Sequence, residues 1–103
     1  MKPTLLSLGF CALLGIVGVT HAAGDVQAGK VKASACAVCH GANGEGKSPN
    51  PKLTGITESQ FVQALQDYKS GKRKSEVMKI YADQLNDQDM ANLAAYYASL
   101  KAK

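Results

Sequence analysis

Tryptophan is absent from this 103-residue chain, and there are only two histidines, three cysteines and three prolines. With 46% hydrophobic and 19% charged residues and no internal repeat or low-complexity tract, the composition is that of one small globular domain. Collagen, coiled coil, disorder and a multidomain enzyme are excluded. No block of like charge stands out: twelve Lys and Arg against eight Asp and Glu give a formal +4 that is spread along the chain. Nothing in that distribution demands a nucleic acid partner. No stretch alternates with period two, so no strand is expected.

The one long apolar run, Leu5 to Val19, is interrupted by Gly9, Gly15 and Gly18 and falls short of the ~20 residues that span a bilayer. With Lys2 before it and Thr20-His21-Ala22 after it, residues 1–22 read as a cleaved secretory signal. Cleavage after Ala22 or Ala23 suits the small-residue rule. Removing residues 1–22 leaves a domain of 81 residues, 23–103, with eleven basic and eight acidic side chains, a formal +3. His21 and Cys11 leave with the signal. A domain this small buries too little surface to be comfortable alone, and such domains recruit disulfides, metals or cofactors.

The candidate staple is Cys36-Ala37-Val38-Cys39-His40. Such a motif has four readings: a thioredoxin-like redox pair, half of a zinc site, a structural disulfide, or the attachment site of a c-type haem. Zinc lacks ligands, because His40 is the only further good donor in residues 23–103. A redox pair of the thioredoxin kind needs a βαβ context. A disulfide leaves His40 unexplained. Haem attachment accounts for all three residues: each thiol adds to a vinyl group, and the next side chain offers an imidazole to the iron.

The remaining chain reads as helices joined by glycine-rich loops, an all-α fold. Asp25 caps a helix that runs through Val31 and Ala35 into the Cys36 motif. The segment Gly41 to Pro51 is a loop. Thr57-Glu-Ser-Gln60 is a capping box, followed by Phe61, Ala64, Leu65 and Tyr68 at helical spacing and a stop at Gly71. Asn86 caps a last helix whose apolar stripe is Met90, Leu93, Tyr97 and Leu100.

From about Gly24 to Leu100 these pieces resemble a class I c-type cytochrome of the small bacterial monohaem, c553-like kind. The resemblance is carried by Gly29, by Cys36 to His40 with Gly41, by Pro51-Lys-Leu53-Thr-Gly55, by Gly71-Lys-Arg73 before a downstream methionine, and by Leu93-Ala-Ala-Tyr96. It implies helices wrapped around one covalently attached haem c, with the first and last helices crossing at Gly29 against Tyr96. Ala33 departs from the pattern, since many relatives have an aromatic there.

Two methionines remain as a sixth iron ligand. Met90 lies on the apolar stripe of the last helix, where methionine fills core. Met78 falls in the loop-like segment Lys72 to Met78, and the resemblance gives the ligand this position, so the axial pair is expected to be His40 and Met78. The resemblance also makes the Pro51 carbonyl the partner of the second His40 nitrogen and sets Leu53 against the haem. Leu93 is expected to line the same slot. Tyr68 and Arg73 could meet haem propionates, while Tyr96 and Tyr97 read as packing residues.

The implied function is outer-sphere electron transfer in the periplasm by a monomer, with iron alternating between Fe(III) and Fe(II) and no substrate bond broken. Its partners would be redox proteins docked transiently, membrane-bound oxidoreductases or terminal reductases and oxidases among them. Lys69, Lys72, Arg73, Lys74 and Lys79 could steer that docking. The competing readings are a haem sensor or catalyst in which Met78 yields to a small ligand, and a thiol-disulfide oxidoreductase built on Cys36 and Cys39.

Overall fold

A computed structural model describes residues 23–100; the expected signal segment lies outside them. Five helices follow one another: α1 Val26–Lys32, α2 Ser34–His40, α3 Glu58–Ser70, α4 Glu76–Asp83 and α5 Asp87–Ser99. Among the described residues there is no β-strand, only an isolated bridge between Lys47 and Asn50. A βαβ context for the two cysteines is therefore missing.

Helix starts follow the sequence. The Asp25 carboxylate accepts from Ala28 N at 3.0 Å. Thr57 with Gln60 and Asn86 with Asp89 each form a reciprocal capping box. Gly71 closes α3 in the left-handed region, at φ 87°. Two features differ from the sequence reading. The first helix is broken at Ala33, whose ψ of −12° separates α1 from α2. The segment holding Met78 is loop only as far as Ser75; Met78 itself sits in the first turn of α4, where its N–H donates to Ser75 Oγ at 3.1 Å.

α1 crosses α5, and α3 packs on both α4 and α5. At the first crossing Gly29 is buried, and a methyl group there would overlap the Asn92 carbonyl oxygen and lie 2.8 Å from Tyr96 Cβ. Only glycine lets the two backbones approach this closely. The expected contact of Gly29 with Tyr96 is thus present. Alongside it, Asp25 N donates to Asn92 Oδ1 at 2.8 Å, fixing how α1 enters the crossing.

Gly29→Ala sets about 1 kcal/mol of gained helix propensity against an overpacking cost of roughly 1–3 kcal/mol or more. The atom in the way is a backbone carbonyl, which cannot swing aside, so overpacking wins. A lower denaturant midpoint is expected for Gly29→Ala, and a lower one still for Gly29→Val.

The core is small. Met90 and Leu93 from α5, at 0% and 1% exposure, join Tyr97, Ala94, Phe61, Leu65 and Ala33. Phe61 and Tyr97 stack with ring centroids 5.5 Å apart. Cys36, Leu53 and Met78 pack against this cluster from three different parts of the chain, which is how the fold gathers the expected site around α5.

A candidate haem centre on α2

α2 carries Cys36, Cys39 and His40 within two turns. Cys36 and Cys39 are free thiols, three residues apart on one helix face and half-buried. Directly beyond them Gly41, at φ 97°, turns the chain out of the helix. The following loop then folds back on α2: Gly46 N donates to His40 O at 2.7 Å, and the Asn50 side-chain amide donates to Cys39 O at 2.9 Å. These bonds satisfy carbonyls left open by the end of a helix, and they bring Pro51 beside the imidazole.

His40 is 7% exposed, and its Nδ1 lies 2.7 Å from Pro51 O. A carbonyl oxygen only accepts, so Nδ1 carries the proton. In the neutral ring this arrangement leaves the lone pair on Nε2, the state a metal-binding histidine requires. The contact expected between Pro51 and His40 is therefore present. Among the described residues no cluster of three or more His, Cys, Asp or Glu side chains could hold a bare metal ion.

Cys36 and Leu93 share a cleft with Ala35, Lys32, Tyr81, Gln84 and Leu85. The helix beside it, α4, leaves Val77 at 58%, Ile80 at 60% and Tyr81 at 40% exposure around the half-buried Met78. Thiols, an oriented imidazole, a thioether and uncovered apolar surface together fit a flat, covalently held apolar cofactor. Met90, by contrast, is sealed in the core at 0% exposure and behaves as filler. A wider groove of ≈ 600 Å³ lies between α3 and α5 beside Ala23 and Gly24 and contains none of the expected site residues; Val62, Gln63, Ala91 and Ala94 are among those that line it.

The basic side chains near α4 are less free than the sequence implies. Lys69 Nζ donates to Leu85 O at 2.6 Å, and Lys79 Nζ donates to Lys69 O at 2.9 Å and to Asp83 at 3.2 Å. Arg73 lies over the Tyr68 ring, 4.8 Å from its centre. Three of the five cations thus tie α3, α4 and their loop together, while Lys72 and Lys74 stand exposed.

Tyr97 lies in the core as the sequence reading placed it, buried at 1% exposure in the cluster against which Cys36 packs. Burial pushes the Cys36 thiol up, and the Tyr97 side chain opposes that shift. Tyr97 is raised well above the ordinary tyrosine value, first by burial and then by Cys36. Above about pH 10 the unfolded chain loses the phenol proton while the folded chain keeps it, so folding stability falls as pH rises. Tyr97→Phe is expected to lose less stability than wild type between neutral pH and pH values above about 10, as read from denaturant midpoints at both pH values.

Comparison with known proteins agrees with this geometry. The family model described as cytochrome c matches residues 26–101. Over 102 residues the chain is 47% identical to cytochrome c4 of Pseudomonas aeruginosa, covering 98% of this chain and 50% of that protein. It is 33% identical to cytochrome c-553 of Helicobacter pylori over 103 residues, covering 98% of this chain and 100% of that one. The structure of reduced recombinant cytochrome c4 from Pseudomonas stutzeri superposes with a TM-score of 0.72 at 38% identity, covering 79% of this chain and 48% of that one. The chain spans about half the length of the cytochrome c4 relatives it matches. With five helices, a CxxCH motif at Cys36 to His40 that fits covalent haem c, and these matches, the chain belongs to the cytochrome c family.

Proposed function

We propose that the chain is a one-electron carrier in which Cys36 and Cys39 hold haem c by two thioethers and His40 and Met78 are the axial ligands of its iron. The observation that carries this reading is the His40 imidazole, whose Nδ1 is engaged by Pro51 O at 2.7 Å so that Nε2 is left for a metal, one residue after the second thiol of a CxxC pair. When bound, haem c supplies an iron that alternates between Fe(III) and Fe(II).

The chain's own residues then have separable tasks. Cys36 and Cys39 fix the ring to α2. Pro51 fixes the rotation and tautomer of His40. Leu53 and Leu93, which belong to the packed region around α5, would exclude water from the ring and so favour the less charged iron state. Met78 would offer its thioether to the iron, and such a ligand would raise the potential relative to more strongly donating ones.

The working domain would be residues 23–103, exported to the periplasm and cleaved from its signal, acting as a monomer on redox protein partners. Exposed Lys72 and Lys74 support brief electrostatic docking. No helix among the described residues is long and apolar enough to cross a membrane.

A reduced-minus-oxidised absorption spectrum after acid–acetone extraction tests the proposal. Protein made in a haem-competent host should keep its haem spectrum, and its denatured mass should exceed that of the polypeptide by one haem. A mass equal to the polypeptide alone removes the proposal.

A further inference from the structure

We infer that Asn50 is a positioning residue for the axial histidine: its side-chain amide, bonded to Cys39 O, holds the Pro51 carbonyl on His40 Nδ1 and so sets how strongly the imidazole donates to iron. This inference rests on the covalent haem reading above and extends it to a residue outside the motif, the ligand pair and the Pro51 contact.

The chain around Pro51 shows why a tether is needed. Proline has no backbone N–H, so residue 51 cannot anchor itself through its own amide, and it lies exposed. Its carbonyl still meets His40 Nδ1 at 2.7 Å. A neighbour must keep that carbonyl from turning to water. On the far side Leu53 N donates to Gly44 O at 2.7 Å, which ties the loop to itself. On the near side the Asn50 backbone is spent locally, its N–H on Lys47 O at 2.7 Å and its carbonyl on Lys47 N at 3.2 Å. The Asn50 side chain is what reaches α2 from beside Pro51, donating to Cys39 O at 2.9 Å. Gly46 N also reaches the helix end, at His40 O, and Lys47 Nζ lies 3.5 Å from Val38 O, but both stand further back in the loop.

Cys39 and His40 are the last two residues of α2. The bond from Asn50 to Cys39 O and the bond from His40 Nδ1 to Pro51 O therefore clamp two consecutive loop residues onto two consecutive helix residues. A carbonyl held on Nδ1–H draws on that proton and makes the imidazole a stronger donor. Stronger donation favours Fe(III) and lowers the potential.

Loss of this clamp and simple loosening of the fold move the potential in opposite directions. Asn50→Leu keeps a neutral side chain of similar size and removes the amide. Pro51 O then drifts from Nδ1–H, the imidazole donates less and the potential rises. A fold that only loosens admits water to the ring, which stabilises the more charged iron and lowers the potential.

The experiment compares the haem-loaded forms of wild type, Asn50→Leu and Asn43→Ala, the last removing an exposed amide from the same loop. Midpoint potentials are read beside proton NMR spectra of the reduced proteins. In Asn50→Leu a raised potential, an upfield shift of the His40 Nδ1 proton and its faster exchange with D2O are expected, while Asn43→Ala should match wild type. An unchanged or lowered potential in Asn50→Leu, or an equal rise in Asn43→Ala, overturns the inference. A wild-type measurement decides the matter even if Asn50→Leu fails to accumulate. The Asn50 side-chain amide should exchange far more slowly than that of Asn43, and free exchange there beside a protected His40 Nδ1–H overturns the role of Asn50. Absence of covalent haem from wild type refutes the carrier reading, whereas covalent haem with these responses missing refutes the role of Asn50 alone.

Discussion

Replacing both Cys36 and Cys39 by serine is expected to abolish covalent haem and to leave a chain that does not accumulate as a folded domain. Among the described residues the largest fully buried side chains are Tyr97, Met90 and Leu93. Val77, Ile80 and Tyr81 on α4 stay uncovered unless something apolar lies over them. A core of this size contributes too little to offset the conformational entropy of about 80 ordered residues, roughly 1.5 kcal/mol each. Cys36→Ser or Cys39→Ser alone should keep one thioether and give a sharply lower yield. Intact mass and far-ultraviolet circular dichroism of the purified variants check both statements. A double variant that is folded and as abundant as wild type would show that the core suffices without the cofactor.

The second large effect separates the two methionines. Met78→Ala should retain haem, because Cys36, Cys39 and His40 hold it independently. It should lose the sulfur-to-iron charge-transfer band of the oxidised protein and lower the reduction potential, since the thioether that favours Fe(II) is gone. Met90→Ala should keep the band and lose about 2–5 kcal/mol of stability, the usual cost of emptying a fully buried methionine site, because Met90 is 0% exposed beside Leu93 and Tyr97. The two variants disturb different observables, so a band lost in Met90→Ala and kept in Met78→Ala reverses the assignment.

Much of the fold is legible in the sequence where the signal is local and chemical. Thr57 with Gln60 and Asn86 with Asp89 announce the starts of α3 and α5, because a capping side chain and its partner lie three residues apart whatever the rest of the chain does. The stripe of Met90, Leu93 and Tyr97 identifies the buried face of α5 for a similar reason. α4 is harder to read because it is only eight residues long: Val77, Met78, Ile80 and Tyr81 share one broad face, but so short a segment repeats a period of 3.6 too few times to announce itself. Its signal was the Ser75 cap, which accepts from Met78 N. The break at Ala33 has no signal of its own, since neither glycine, proline nor a capping side chain marks it.

The site divides along the same line. Cys36, Cys39 and His40 declare themselves by spacing, whereas the partnership of His40 with Pro51 depends on how the loop from Gly41 folds back. The approach of Cys36 to the cluster that holds Tyr97 likewise joins residues far apart in sequence. Tyr97 reads as core from its stripe, and nothing adjacent to it in sequence reveals that neighbour.

The central claim is that His40 and Met78 fill both axial positions of a covalently held haem. It is tested most directly by the absorption spectrum of the reduced protein at neutral pH before and after addition of carbon monoxide. A six-coordinate iron predicts an unchanged spectrum in the native protein and a carbon monoxide complex only after denaturation or in Met78→Ala. Ready formation of that complex in the unmutated, folded protein would contradict the claim and make this a ligand-binding haem protein.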